Sequence, residues 1–178
     1  MKQFRIPTKP NQALSVIALC NEIELQYFPQ IRQATGNIVI YLQKNGQIEN
    51  LPPAASELVH IIFFKLRYEM KQCFLKEKRI LFPLISEAGP KDSKDLAAEI
   101  DPFKKTHQHI LELTQKLRQI MCQFETKPDY SKEYNDFNDE LRTLENNIFK
   151  WILIEEDLLF PKVYSDLAKA KFISTVFR

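Results

Sequence analysis

The pattern Glu-x-x-x-Leu-Phe-Pro occurs twice, as Glu77-Lys78-Arg79-Ile80-Leu81-Phe82-Pro83 and as Glu155-Glu156-Asp157-Leu158-Leu159-Phe160-Pro161. In both copies the glutamate falls on the apolar stripe of an amphipathic helix, just before the Leu-Phe-Pro that is expected to end it. An ionised carboxylate in a core costs several kcal/mol unless a cation or hydrogen-bond donors meet it. Two acids in matching places on two helices suit a shared task, the bridging of a metal pair or the remains of such a site. Cys73 stands one helical turn before Glu77, so both side chains point the same way. His107 lies on a third stripe. Thiolate, imidazole and carboxylate are all metal ligands, of different softness.

The same residues admit plainer readings. Lys76, Lys78, Lys104 and Lys150 lie near enough in sequence to neutralise the acids, or the two carboxyls could share a proton, one of them raised in pKa by its neighbour. His107 could be a buried histidine hydrogen-bonded to one of them. Cys73 could be a small apolar filler; redox chemistry at its thiol would need exposure and a depressed pKa. No nucleophile–base pair, phosphate-cradling loop or cofactor fingerprint is present, so no enzyme is expected.

Four helices must carry these residues. Helix 1 is expected from Asn11 into the thirties, with Leu14, Ile17, Asn21, Leu25 and Phe28 inward and Pro29 kinking or ending it. The β-branched stretch 37–42 could suit a strand, but no partner strand is visible, and it reads as a continuation of helix 1. Helix 2 is expected over residues 54–85, with Val59, Ile62, Leu66, Met70, Cys73, Glu77 and Ile80 inward. A linker follows at 89–93, and Asp101-Pro102 reads as the N-terminus of helix 3, which runs to Phe124 with Phe103, His107, Ile110, Thr114, Leu117 and Met121 in line. Helix 4 covers 131–160, with Leu141, Leu144, Ile148, Trp151, Glu155 and Leu158 inward. Alternating steps of three and four are the seam of left-handed bundle packing. The economical fold is all-α, an up-down-up-down four-helix bundle over 11–161, with extensions at 1–10 and 162–178.

Composition narrows the class. The chain has 178 residues, 25 basic against 23 acidic, with a formal charge of +2. That balance argues against a nucleic-acid partner. No apolar run approaches a membrane span, so no membrane partner is expected. The N-terminus leads into no apolar signal region, and three unpaired cysteines suit a reducing compartment, which points to the cytoplasm. The three glycines, Gly36, Gly46 and Gly89, are expected to end or join helices.

Over residues 14–161 the chain resembles the hemerythrin-like HHE family, most of all its di-iron iron–sulfur cluster repair members. Segment 155–161 looks like the family's last helix, which ends His-x-x-x-Glu-x-x-x-Leu-Phe-Pro. Segment 76–83 is similar to the second-helix motif, Thr106-His107 resembles the Glu-His opening the third helix, and Leu25-Gln26-Tyr27-Phe28-Pro29-Gln30-Ile31 is similar to the first helix. The resemblance implies a hemerythrin-like bundle in which Glu77 and Glu155 are the bridging acids and His107 a histidine ligand. It also implies that other ligand histidines are replaced by Cys73, Trp151 and Asn21, with none available at 42–45. The function it implies is that of a degenerate bundle that has lost its di-iron site. Such a chain would act as a binding or regulatory protein in a stress response, without a cofactor, with an unidentified protein partner, as monomer or homodimer. The alternative is an iron-handling or cluster-repair protein, with iron on a reduced site of Glu77, Glu155 and His107 plus Cys73 or water.

Overall fold

The computed structural model describes residues 14–87 and 93–176. They form four long helices, and among the described residues there is no strand. The first, α1, spans residues 16–44 and is capped by Ser15, whose hydroxyl accepts from the Ala18 N–H at 3.2 Å. The second, α2, spans 53–87 and opens on Pro53, where a missing N–H is harmless. The third, α3, is Ser93–Ile120, followed by a tight turn at Cys122–Phe124. The fourth, α4, spans 132–176 and is capped by Ser131 on the Tyr134 N–H at 3.1 Å.

Short connections leave successive helices no option but to fold back on one another. Asn37 bonds Glu140 at 2.9 Å and Lys44 pairs with Glu133 at 2.8 Å, so α1 and α4 run antiparallel. Tyr41 stacks on Phe137 between those contacts, at 4.0 Å. The partner of α2 is α3. Leu19, Ile23, Phe28, Ile31 and Ile38 of α1 meet Val59, Phe63, Leu66 and Met70 of α2, Ile110 and Leu117 of α3, and Leu141, Leu144, Ile148 and Trp151 of α4 in one core.

Three helices share a backbone device. A widened π-turn occupies Ile23–Tyr27 in α1, Glu77–Leu81 in α2 and Glu155–Leu159 in α4. Each closes with a phenylalanine N–H reaching back five residues: Phe28 to Ile23, Phe82 to Glu77, Phe160 to Glu155. The next residue is always proline, which has no N–H and whose ring would clash with a carbonyl of the preceding α-turn. The extra residue opens that turn and lets the helix continue. The helices therefore run on past each proline, which corrects the expectation that Leu-Phe-Pro ends a helix: α1 continues through Pro29 to Lys44, α2 reaches Glu87, close to the expected Ile85, and α4 reaches Val176 rather than Phe160.

The π-turns also rotate the register. Glu77 and Leu81 are both wholly buried, whereas Ile80, expected inward, is 46% exposed. Ile17 and Leu25 of the expected first stripe are exposed too, and Leu19, Cys20 and Ile23 face the core instead. Residues 37–42 continue α1 as expected, with Ile38, Tyr41 and Leu42 buried. Gly36 lies inside that helix rather than at an end. Asp101-Pro102 is not a helix start, because α3 begins at Ser93 and passes through the proline. The carbonyl that Pro102 leaves without a partner belongs to Ala98, on the exposed side where water can serve it. α3 ends at Ile120, short of the expected Phe124. The expected linker at 89–93 lies outside the described residues except for Ser93, and the segment 1–10 lies wholly outside them.

Candidate metal centre

Glu77 and Glu155 each open a π-turn, and His107 sits in the middle of α3 facing both. All three side chains have 0% exposure. His107 Nε2 is 3.1 Å from Glu155 Oε2 and 3.6 Å from Glu77 Oε1. The other ring nitrogen, Nδ1, is 3.0 Å from Glu156 Oε1. Cys73 completes the group by donating its S–H to Glu77 Oε1 at 2.9 Å. The ligating atoms of Cys73, Glu77 and His107 all lie within 4.8 Å of one another.

An aromatic box surrounds these polar groups. Trp151 stands edge-on to the His107 ring at 5.2 Å, and Phe160 lies parallel to it at 6.3 Å. Phe74 packs against Trp151 at 4.8 Å and stacks on Phe28 at 4.0 Å. Such walls keep the local dielectric low, so each charge inside is felt strongly and each unpaired polar atom is expensive.

The charges respond accordingly. Burial, followed by the nearby charge of Glu77, pushes the Glu155 carboxyl up to about 7, with His107 opposing. Burial works against protonation of His107, yet the close approach of Cys73, Glu155, Glu156 and Glu77 outweighs it and raises the imidazole above its ordinary value. Burial and then the Glu77 charge push the Cys73 thiol up. A buried, raised thiol is a poor nucleophile, which removes the ground for redox chemistry at Cys73.

Several polar atoms in this box have no hydrogen-bond partner: Glu77 Oε2, both oxygens of Glu155, His107 Nε2 and Trp151 Nε1. The first four are lone-pair sites once the proton of His107 resides on Nδ1, as the contact to Glu156 favours. Ligands around one transition-metal ion at about 2.0–2.3 Å stand roughly 3–4 Å apart, and His107 Nε2 stands 3.1 Å from Glu155 Oε2 and 3.6 Å from Glu77 Oε1. The donor set therefore fits one cation. It does not fit two ions in a shell of imidazoles, because His107 is the one histidine among the described residues in the box. His109 lies 3.9 Å from Glu112 on a partly exposed face of α3, and His60 is on α2 away from the acids.

Of the residues expected at the site, Cys73, Glu77, His107 and Glu155 come together. Asn21 does not; it is exposed, and the neighbouring Cys20 is buried in its stead. The Cys20 thiol is pushed up to about 12 by burial and then by the charge of Glu155, with Glu77 adding to it. Trp151 fills space beside His107, and Leu42 offers the site no ligand atom. None of the flanking lysines neutralises the acids: Lys78 pairs with Glu24, and Lys104 lies over the Tyr164 ring at 5.8 Å. Glu156 and Cys20 were missed from the sequence. The Glu155-Glu156 doublet was a usable signal for the first, since residues flanking a helix stripe can reach a group on the adjacent helix. The second was hidden by the π-turn.

A profile of the hemerythrin HHE cation-binding domain matches residues 25–163. The chain belongs to this family. No curated protein matches it. No helix among the described residues is long and apolar enough to cross a membrane.

Proposed function

We propose that this chain is a metal-binding member of the hemerythrin family that holds one divalent transition-metal ion, iron first among them, and serves iron handling rather than oxygen carriage by a metal pair. The observation that carries this reading is the convergence of orphaned buried lone pairs from Glu77, Glu155 and His107. Cys73, Glu77, His107 and Glu155 would hold the ion, and Glu156 would orient the imidazole through Nδ1. A bound ion would supply Lewis acidity or one-electron chemistry. The chain's own part is to orient four ligands, exclude water with Trp151 and Phe160, and release the Cys73 proton on uptake. Iron–sulfur cluster repair is the narrower form of the same reading.

Metal analysis of the full chain purified without chelators tests it. One equivalent of iron or zinc is expected, lost in Glu77→Gln and Glu155→Gln. The cobalt-loaded protein should show a thiolate-to-metal absorption band that Cys73→Ser removes. Protein that never takes up metal under reducing conditions would sink the reading.

One observation favours a second reading. Trp151 is wholly buried where a bulky ring displaces ligands, and His107 already faces both acids. On this reading the bundle is metal-free, the imidazole supplies the positive charge, and the protein works by binding a partner. Full stability in the presence of a strong chelator, with Glu155→Gln raising the melting temperature, would favour it.

A further inference from the structure

One face of α2 has no partner among the described residues. Ile61 (59% exposed), Phe64 (39%), Tyr68 (60%) and Leu75 (37%) lie opposite the stripe that fills the core. Ile61, Tyr68 and Leu75 recur at the heptad step, with Phe64 between them, which is the spacing of a helix-pairing seam. A helix apolar on two opposite faces buries both or leaves an adhesive surface in water. We propose that this outer stripe pairs with the same stripe of a second copy of the chain, in an antiparallel, two-fold symmetric dimer centred on Tyr68.

The arrangement of residues about Tyr68 selects that occupant. Ile61 and Leu75 lie equally far from it on either side, and so do Glu57 and Arg79. Glu57 stands one turn before Ile61, and the π-turn sets Arg79 one turn beyond Leu75 on the same line. Two antiparallel copies therefore place Ile61 against the partner's Leu75 and Glu57 against the partner's Arg79, and the symmetry makes each contact twice. A parallel pairing would set Glu57 against itself and Arg79 against itself. Both are exposed, and neither forms an ion pair among the described residues. The seam from Glu57 to Arg79 is about 33 Å long at the helical rise. Lys71, one heptad beyond Phe64, and Lys65 at the seam's flank would also suit an anionic membrane surface, so the test separates the two.

Sedimentation equilibrium of the full chain decides this. The wild type should dimerise, and Tyr68→Glu, which sets two acids on the symmetry axis, should leave it monomeric with unchanged helical circular dichroism. Glu57→Arg alone and Arg79→Glu alone should each weaken dimerisation severalfold, and the two together should restore it. That restoration is specific to antiparallel pairing, and neither a general change in solubility nor a loss of folding would produce it. A wild type that stays monomeric at every soluble concentration overturns the proposal. So does a double exchange that restores nothing, or a monomer that instead pellets with phosphatidylglycerol vesicles.

Discussion

The three π-turns make one backbone position comparable three times over. Ile23 fills it in α1, Glu77 in α2 and Glu155 in α4, and all three are wholly buried. The residue one turn earlier differs in step. In α1 it is Leu19, apolar like Ile23. In α2 it is Cys73, whose thiol donates to Glu77 at 2.9 Å. In α4 it is Trp151, whose indole N–H has no formed hydrogen bond but lies close enough to favour the ionised Glu155 slightly. The apolar copy shows that the wide turn needs the following Phe-Pro and not an acid. The acids are an addition to the architecture, and His107 is the group that faces both of them.

The largest effect should come from removing that group. His107→Leu would leave two buried acids without a facing cation, and metal-free protein should lose about 3–5 kcal/mol in urea unfolding. Adding Glu77→Ile and Glu155→Ile makes all three turns alike and should recover most of the loss, because replacing every member of a buried charged group by apolar residues is often neutral or better. If His107→Leu alone leaves stability unchanged, the two acid-bearing turns do not depend on it.

A smaller effect distinguishes Glu155 through its proton. Its folded carboxyl titrates near 7 rather than 4.5, so between those values the folded state keeps a proton that the unfolded chain has released. The contribution of Glu155 to the stability of the chelator-treated protein should be fully present below pH 4.5 and be lost as pH rises through about 7, by up to about 3 kcal/mol. His107 adds a slope of the same sign above the ordinary imidazole value of 6.5, since it gains affinity for its proton on folding. Glu155→Gln should flatten the lower part of the curve, while Ile23→Leu at the apolar turn should leave its shape intact. A curve that rises over this interval would contradict the electrostatics described above.

The smallest effect concerns the residue after each acid. Lys78 turns outward to Glu24, whereas Glu156 holds His107 Nδ1 at 3.0 Å. Lys78→Gln should change the unfolding free energy by less than about 0.5 kcal/mol, as exposed ion pairs do. Glu156→Gln should cost about 1 kcal/mol and weaken metal uptake about tenfold or more, because it loosens the ligand's orientation. Equal effects of the two changes would remove Glu156 from the site.

Much of this could be read from residue order. Glu77, His107 and Glu155 stand out because charge on an apolar stripe is rare and the motif repeats, and both signals are local. The helical character of 37–42 followed from the lack of any strand to pair with it. The errors cluster at prolines. Proline ends most helices, so Pro83, Pro102 and Pro161 suggest boundaries and Pro29 a kink or an end, yet here helices run through all four. A period of three and four residues also cannot anticipate an inserted one, so Ile80 was set inward and Asn21 was preferred to Cys20.

The order of amino acids by itself determined that four amphipathic helices must bury their stripes together and that two acids would be buried with them, because hydrophobic period and motif are properties of neighbouring residues. The tertiary structure alone decided which atoms meet. One residue of register turns a side chain by about 100° around a helix, so the π-turns chose Cys20 over Asn21 and Leu81 over Ile80. The contacts of His107 with Glu77, Glu155 and Glu156 join three separate helices, and only their packing brings those carboxylates to one imidazole.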